Sequence, residues 1–235
     1  MTNCIVDMSQ RRAARVAGIL YLLLIVFGVF AQMFARSSLI VWGDATATAN
    51  NIMASGSLLR IAFLSDILMI TCFLLLPLAL YQLLKPVNKN IASLMVIFVF
   101  VSIPVMLINM LYYSAPLLLL SGASYLTVFA ADQLNALAML HLDLYTSGVM
   151  IATIFHGIWL FPLGYLVYKS GYFPRILGVF LMLACFGFLI ESIQYFLLPG
   201  YEVITYPAMV FEILGEFVFC GWLLVKGAKI SEMKS

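Results

Sequence analysis

Long apolar runs separated by short polar breaks set the pattern of this chain. A membrane-spanning helix needs about 20 mainly apolar residues. Six stretches reach that length, at about 14–35, 58–84, 91–115, 144–168, 175–198 and 205–225. They predict an all-α, polytopic membrane protein, a six-transmembrane-helix bundle, with residues 1–235 as one integral domain and cytoplasmic tails at 1–10 and 227–235. Two connections are short and rich in breakers: Lys85-Pro86-Val87-Asn88-Lys89-Asn90 and Ser170-Gly171-Tyr172-Phe173-Pro174. These residue types stop a helix and turn the chain.

The other connections are longer and carry structure of their own. In 36–57, Asp44 suits a helix N-cap, because its carboxylate accepts from the free amides of a first turn. A short helix from 45 to about 55 then puts Thr48, Asn51 and Ser55 on one face. Residues 121–143 place Asp132, Gln133, Asn135, His141 and Asp143 among Leu, Ala and Phe. An interfacial helix at about 125–142 fits this mixture, with a seventh, half-inserted segment as the alternative. The bundle is thus expected to carry two short interfacial helices on its outer face.

Composition removes whole classes. The chain is 65% apolar and 9% charged, with a mean hydropathy of +1.11, against about 45–50% and about 25% in soluble domains. A soluble globule and a disordered chain are both excluded, since neither carries so little charge. A net charge of +2 gives nucleic-acid binding no electrostatic support. Cys4, Cys72, Cys185 and Cys220 show no paired spacing, so neither a disulfide framework nor a cysteine zinc site is indicated. Arg11, Arg12 and Arg15 precede an apolar run that is longer than the ~7–15 residues of a signal core, which predicts a retained first span. With the amino terminus inside, the cytoplasmic segments hold all of the twelve Lys and Arg residues except Arg36 and Arg60. By the positive-inside rule both termini are cytoplasmic.

Against this apolar background the ionisable residues stand out, because each is expensive within a bilayer. Asp66, Glu191, Glu212, Glu216 and His156 fall inside the spans, and Arg60 near the outer end of the second. At 1.5 Å per residue, Asp66, Glu191 and Glu212 lie roughly 10 Å below the outer end, with Glu216 and His156 near the midplane. Asn109, Tyr112 and Tyr113 fall in the outer part of the third span. Glu212 and Glu216 share a helix face, as do Glu191, Gln194 and Tyr195. If those faces point inward, four carboxylates meet one arginine. Either some of the acids hold a proton or a cation enters. The opposing reading is that each acid is a hydrogen bond between helices, worth about 0.6 kcal/mol on average.

The same acids with His156, or His141 with Asp143, offer metal donors, but no HExxH motif and no ExxH partner of the glutamates is present. No GxSxG elbow surrounds Ser147, and two histidines are thin support for haem. No metal and no cofactor is assigned. Trp159, Phe161, Tyr165, Tyr168 and Tyr172, with Trp42 and Trp222, read as interface aromatics. Pro77, Pro104, Pro116 and Pro162 are candidate kinks or breaks.

The order of several motifs is familiar. Arg15-Val-Ala-Gly-Ile-Leu-Tyr21 opens the first span, and Gly43-Asp44 precedes Thr48-Ala49-Asn50-Asn51-Ile52 and Arg60. Leu80-Tyr81-Gln-Leu-Leu-Lys-Pro-Val-Asn88 closes the second span. Trp159-Leu-Phe-Pro-Leu-Gly164 leads to Lys169-Ser-Gly-Tyr-Phe-Pro-Arg-Ile-Leu-Gly178. Over residues 11–225 the chain resembles a bacterial membrane family catalogued as domain of unknown function 4386. The resemblance implies a bacterial inner-membrane protein and no particular activity, so no catalytic residue is carried over. The reading is an outward-facing polar pocket lined by Arg60, Asp66, Asn109, His156, Glu191, Glu212 and Glu216, which binds or transports a small ligand, proton or cation. Two other readings stay open: an intramembrane metal-dependent hydrolase, and a structural or regulatory subunit without catalysis. The lipid bilayer is the one partner the sequence specifies; it says nothing of oligomeric state.

Overall fold

A computed structural model describes the backbone of residues 2–228 and the side chains of residues 10–228. The side chains of Cys4, Lys229 and Lys234, and most of the two tails, lie outside the described residues. The described residues form eight α-helices: α1 Thr2–Val29, α2 Ser37–Leu39, α3 Ala45–Ala54, α4 Gly56–Leu84, α5 Lys89–Leu119, α6 Ala131–Ser170, α7 Arg175–Leu197 and α8 Tyr206–Val225. A π-helical segment, Phe30–Arg36, joins α1 to α2, and 3-10 turns at Ser124–Leu126 and Glu202–Thr205 precede α6 and α8. No strand occurs among the described residues.

Among the described residues, six segments are long and apolar enough to cross a membrane: Gln10–Leu39, Gly56–Leu84, Lys89–Leu119, Ala131–Ser170, Arg175–Leu197 and Glu202–Val225. They coincide with the six runs of the hydropathy pattern, and the chain is a multi-pass helical protein. The local rules hold at the connections. Asp44 caps α3, its carboxylate accepting from the Ala47 amide at 2.9 Å. Asn88 does the same for α5 through the Ile91 amide at 3.1 Å. The short helix at 45–54 forms as its cap predicts, and Thr48 and Asn51 bond back to Val41 and Leu39.

Three elements differ from the expectation. The first span, expected to end at about 35, runs on to Leu39 through π-helical turns over Phe30–Arg36 and the short α2. No separate helix occupies 125–142; residues 131–143 are the opening turns of the 40-residue α6. Gln133 reaches back to the Ala130 amide at 2.9 Å to start this helix. His141, Thr146 and Ser147 bond to the carbonyls of Leu137, Leu142 and Asp143, one turn earlier. Polar side chains satisfied within their own helix do not interrupt it. Finally, α4, α5 and α6 continue through Pro77, Pro104, Pro116 and Pro162 without breaking.

The chain divides into two compact units. Unit 1 comprises Met1–Leu22, Cys72–Ile103 and Met150–Ser235; unit 2 comprises Leu23–Thr71 and Pro104–Val149. Aromatic side chains fill the core of unit 1. Trp159, expected at an interface, is fully buried and packs on Tyr21 and Phe73 at ring distances of 6.4 and 5.5 Å. Helices α6 and α7 meet at Gly164 and Gly178, where a Cβ on Gly164 would stand 2.6 Å from the Gly178 carbonyl oxygen. In unit 2, Ser65 ties α4 to α1 by donating to the Phe27 carbonyl at 3.0 Å.

Candidate functional site

In unit 2 the polar centre is Arg36. The π-helical segment carries it: a π turn holds one residue more than an α turn, so the helix beyond it is rotated by about 100°. Gln32 and Arg36 face one another there, and Arg36 Nε donates to Gln32 Oε1 at 2.7 Å. Arg36 Nη1 donates to Asp66 Oδ2 at 2.5 Å. The side chains of Arg36 and Asp66 are 11% and 2% exposed. The guanidinium lies over the rings of Tyr113 and Tyr145, 5.4 and 5.5 Å from their centroids. The two rings are themselves 4.9 Å apart. An arginine so placed is charge-balanced by the carboxylate and attracted by two ring faces, each worth up to about 2 kcal/mol when water is excluded. Asn109 Nδ2 donates to the Tyr145 carbonyl at 2.8 Å, while its Oδ1 is buried without a partner among the described residues. The Asn109 amide occupies the space that any side chain at Gly148 would need.

Unit 1 holds the second centre. Glu216 on α8 receives two groups on one oxygen: the Tyr21 hydroxyl donates to Oε1 at 2.9 Å, and His156 Nε2 lies 3.2 Å from the same atom. The side chains of His156 and Glu216 are 22% and 15% exposed. The imidazole packs against Phe73 and Phe188, at ring distances of 5.0 and 4.8 Å. One turn before Glu216 on the same face, Glu212 is buried, and its Oε1 finds no hydrogen-bond partner among the described residues. That oxygen lies against Gly187, where a Cβ would approach it to 2.6 Å. Glu191 on α7 is half-buried. The lysines and arginines of this unit lie within two turns of a span end or beyond it. Tyr21, Glu216 and His156 form a hydrogen-bonded chain of three side chains centred on Glu216 Oε1.

The sequence-derived set is therefore divided. Asp66 and Asn109 belong to unit 2, and His156, Glu191, Glu212 and Glu216 to unit 1. His156 and Glu216 are brought into contact, and Asp66 finds an arginine, but that arginine is Arg36. Arg60 is exposed on α4. The positive-inside rule singles out Arg36 and Arg60 alike in the sequence, so the distribution of charge marks both and distinguishes neither. Tyr21 is legible only as a lone hydroxyl within an apolar run. Among the described residues no three of His, Cys, Asp or Glu are placed to hold a metal ion. The metal-dependent hydrolase reading has no donor set there.

A family model described as Domain of unknown function (DUF4386) matches residues 16–227. An uncharacterized protein of Archaeoglobus fulgidus is 36% identical over 158 residues, which cover 67% of this chain and 78% of that protein. No solved structure matches the chain.

Proposed function

We propose that this chain, which belongs to the DUF4386 family, is a membrane protein that binds protons on the Tyr21–Glu216–His156 chain and couples them to the passage or binding of a small ligand. The observation that carries the reading is the charge content of unit 1. Glu191, Glu212 and Glu216 share its spans with one histidine and no arginine or lysine more than two turns from a span end. One buried and two half-buried carboxylates with a single histidine beside them are costly to keep charged together within a membrane. A proton neutralises a carboxylate without any coordination shell, and the donors a metal ion needs are not gathered among the described residues. Glu216, with a tyrosine and a histidine on one oxygen, has the partners that a proton carrier uses.

The same reading places both termini on the cytoplasmic side, on the strength of the basic residues at the span ends. It lays helix α3 along the outer surface, supported by its mixed face and the exposed Trp42 beside it. The test is proton flux into liposomes carrying the full chain, driven by a potassium diffusion potential and read with an entrapped pH dye. Flux above that of protein-free liposomes, reduced at least ten-fold in Glu216→Gln, is the expected result. Flux equal to empty liposomes, or unchanged by Glu216→Gln, refutes the proposal.

A further inference from the structure

Helices α7 and α8 of unit 1 pack closely through two glycines. A Cβ on Gly215 would stand 3.1 Å from the Phe180 carbonyl oxygen. One on Gly187 would stand 3.2 Å from the Ala208 carbonyl oxygen and 2.6 Å from Glu212 Oε1. Numbering rises on one helix as it falls on the other, so the pair is antiparallel, with its connection at 198–205. On α8, Glu212 and Glu216 are one turn apart on one face; on α7, Gly187 and Glu191 are too. Helical side chains lean back over the turn N-terminal to their own Cα. Glu216 thus leans toward Glu212, and a glutamate at 191 covers the turn that Gly187 leaves bare, where Glu212 Oε1 lies. The stripe rises toward the connection by one turn, about 6 Å, from Glu216 to Glu212 and by another from Gly187 to Glu191. Among the described residues the charges of Glu191 and Glu216 act on Glu212. Glu216 in turn meets Tyr21, His156 and Cys220.

We infer that Glu212 is a proton-transfer residue, and that Glu216, Glu212 and Glu191 form a relay opening the Glu216 site toward the α7–α8 connection. The inference rests on the proton-binding reading of Glu216. Glu212 is 8% exposed, and its Oε1 has no hydrogen-bond partner among the described residues. A glutamate that only tied α8 to α7 would hold a partner on that oxygen. Chains of acidic residues and histidines carry protons within membrane helices. In each transfer the O–H bond of one carboxyl breaks and one forms on the next carboxylate. The donor is left charged and the acceptor neutral, with no further reactant. Steps of one turn are bridged by side-chain rotation or by one water molecule. The half-buried Glu191 ends the relay at the connection, and the buried Glu212 is its middle.

The experiment is the liposome proton-flux assay on the full chain, comparing Glu212→Gln with Glu212→Asp, and Glu191→Gln beside them. Glutamine keeps the size and hydrogen-bonding capacity of the side chain but exchanges no proton; aspartate keeps the carboxyl on a shorter stem. Glu212→Gln and Glu191→Gln should each lower the flux at least ten-fold, and Glu212→Asp should keep the larger flux of the two Glu212 variants. A structural role for Glu212 gives the reverse order, because glutamine fills the site better, and that order overturns the relay. If the Glu212 variants do not fold, Glu191→Gln and Glu191→Asp give the same comparison at the half-buried position. Wild-type flux in Glu212→Gln, with flux lost in Glu216→Gln, overturns the relay and leaves the Glu216 site standing. Flux no greater than that of empty liposomes, or indifferent to Glu216→Gln, overturns the proton-binding reading and the relay with it.

Discussion

Replacing Asp66 by Asn removes the one carboxylate paired to Arg36 and leaves the guanidinium in a nearly closed environment. Breaking a buried ion pair at one partner costs about 3–5 kcal/mol, because the remaining charge stays desolvated. For Asp66→Asn the lower end is expected, about 3 kcal/mol: Arg36 keeps Gln32 at 2.7 Å and the two tyrosine faces at 5.4 and 5.5 Å. Arg36→Met should cost more, toward 5 kcal/mol, since Asp66 is 2% exposed and its paired cation is gone. Removing both charges, as Arg36→Met/Asp66→Leu, eliminates the desolvation along with the attraction and should cost only about 1 kcal/mol. The signature is thus a strongly non-additive cycle, the two single losses together exceeding the double loss by several kcal/mol. Equilibrium unfolding in micelles with a rising fraction of dodecyl sulfate, followed by circular dichroism, measures all four proteins. Additive losses, or an Asp66→Asn variant within about 0.5 kcal/mol of wild type, would refute the account of Arg36 as a buried, charge-balanced centre.

Local geometry sets two more outcomes. Asp44→Ala removes the side-chain acceptor at the start of α3 and should lower stability by about 1 kcal/mol in the same unfolding assay, with Asp44→Asn close to wild type; equal losses in both would argue against a cap. Gly164→Ala puts a methyl 2.6 Å from the Gly178 carbonyl oxygen and should cost about 1–3 kcal/mol by forcing the α6–α7 backbones apart, so an unchanged unfolding midpoint would contradict that approach.

The spans are legible because each is a run long enough to satisfy its own backbone in lipid, and such a run announces itself in composition alone. The boundaries of the first and fourth spans are not, for physical reasons. Hydropathy locates polar side chains but not where their hydrogen bonds end. The polar residues of 131–147 have the pattern of a surface helix, yet His141, Thr146 and Ser147 spend their side-chain hydrogen bonds on the preceding turn, so one helix runs through. Arg36 falls outside the first span by hydropathy because the apolar run stops at Ala35. A π turn leaves no mark in an apolar pattern, and it is what delivers Arg36 to Asp66.

The acids themselves can be found from sequence, but their partners cannot. Tyr21 and Glu216 are 195 residues apart, and His156 and Glu216 are 60 apart. Their contacts depend on how helices pack and not on any spacing along one helix. That packing changes the charge arithmetic. With one arginine set against four carboxylates, any of the four could be the neutralised one. With Arg36 committed to Asp66 in unit 2, His156 is the one cationic candidate for Glu191, Glu212 and Glu216 away from the end turns of the described spans of unit 1. A single imidazole cannot balance three carboxylates even when it is protonated. Of the three, Glu212 is the one with a buried carboxylate oxygen that has no hydrogen-bond partner among the described residues.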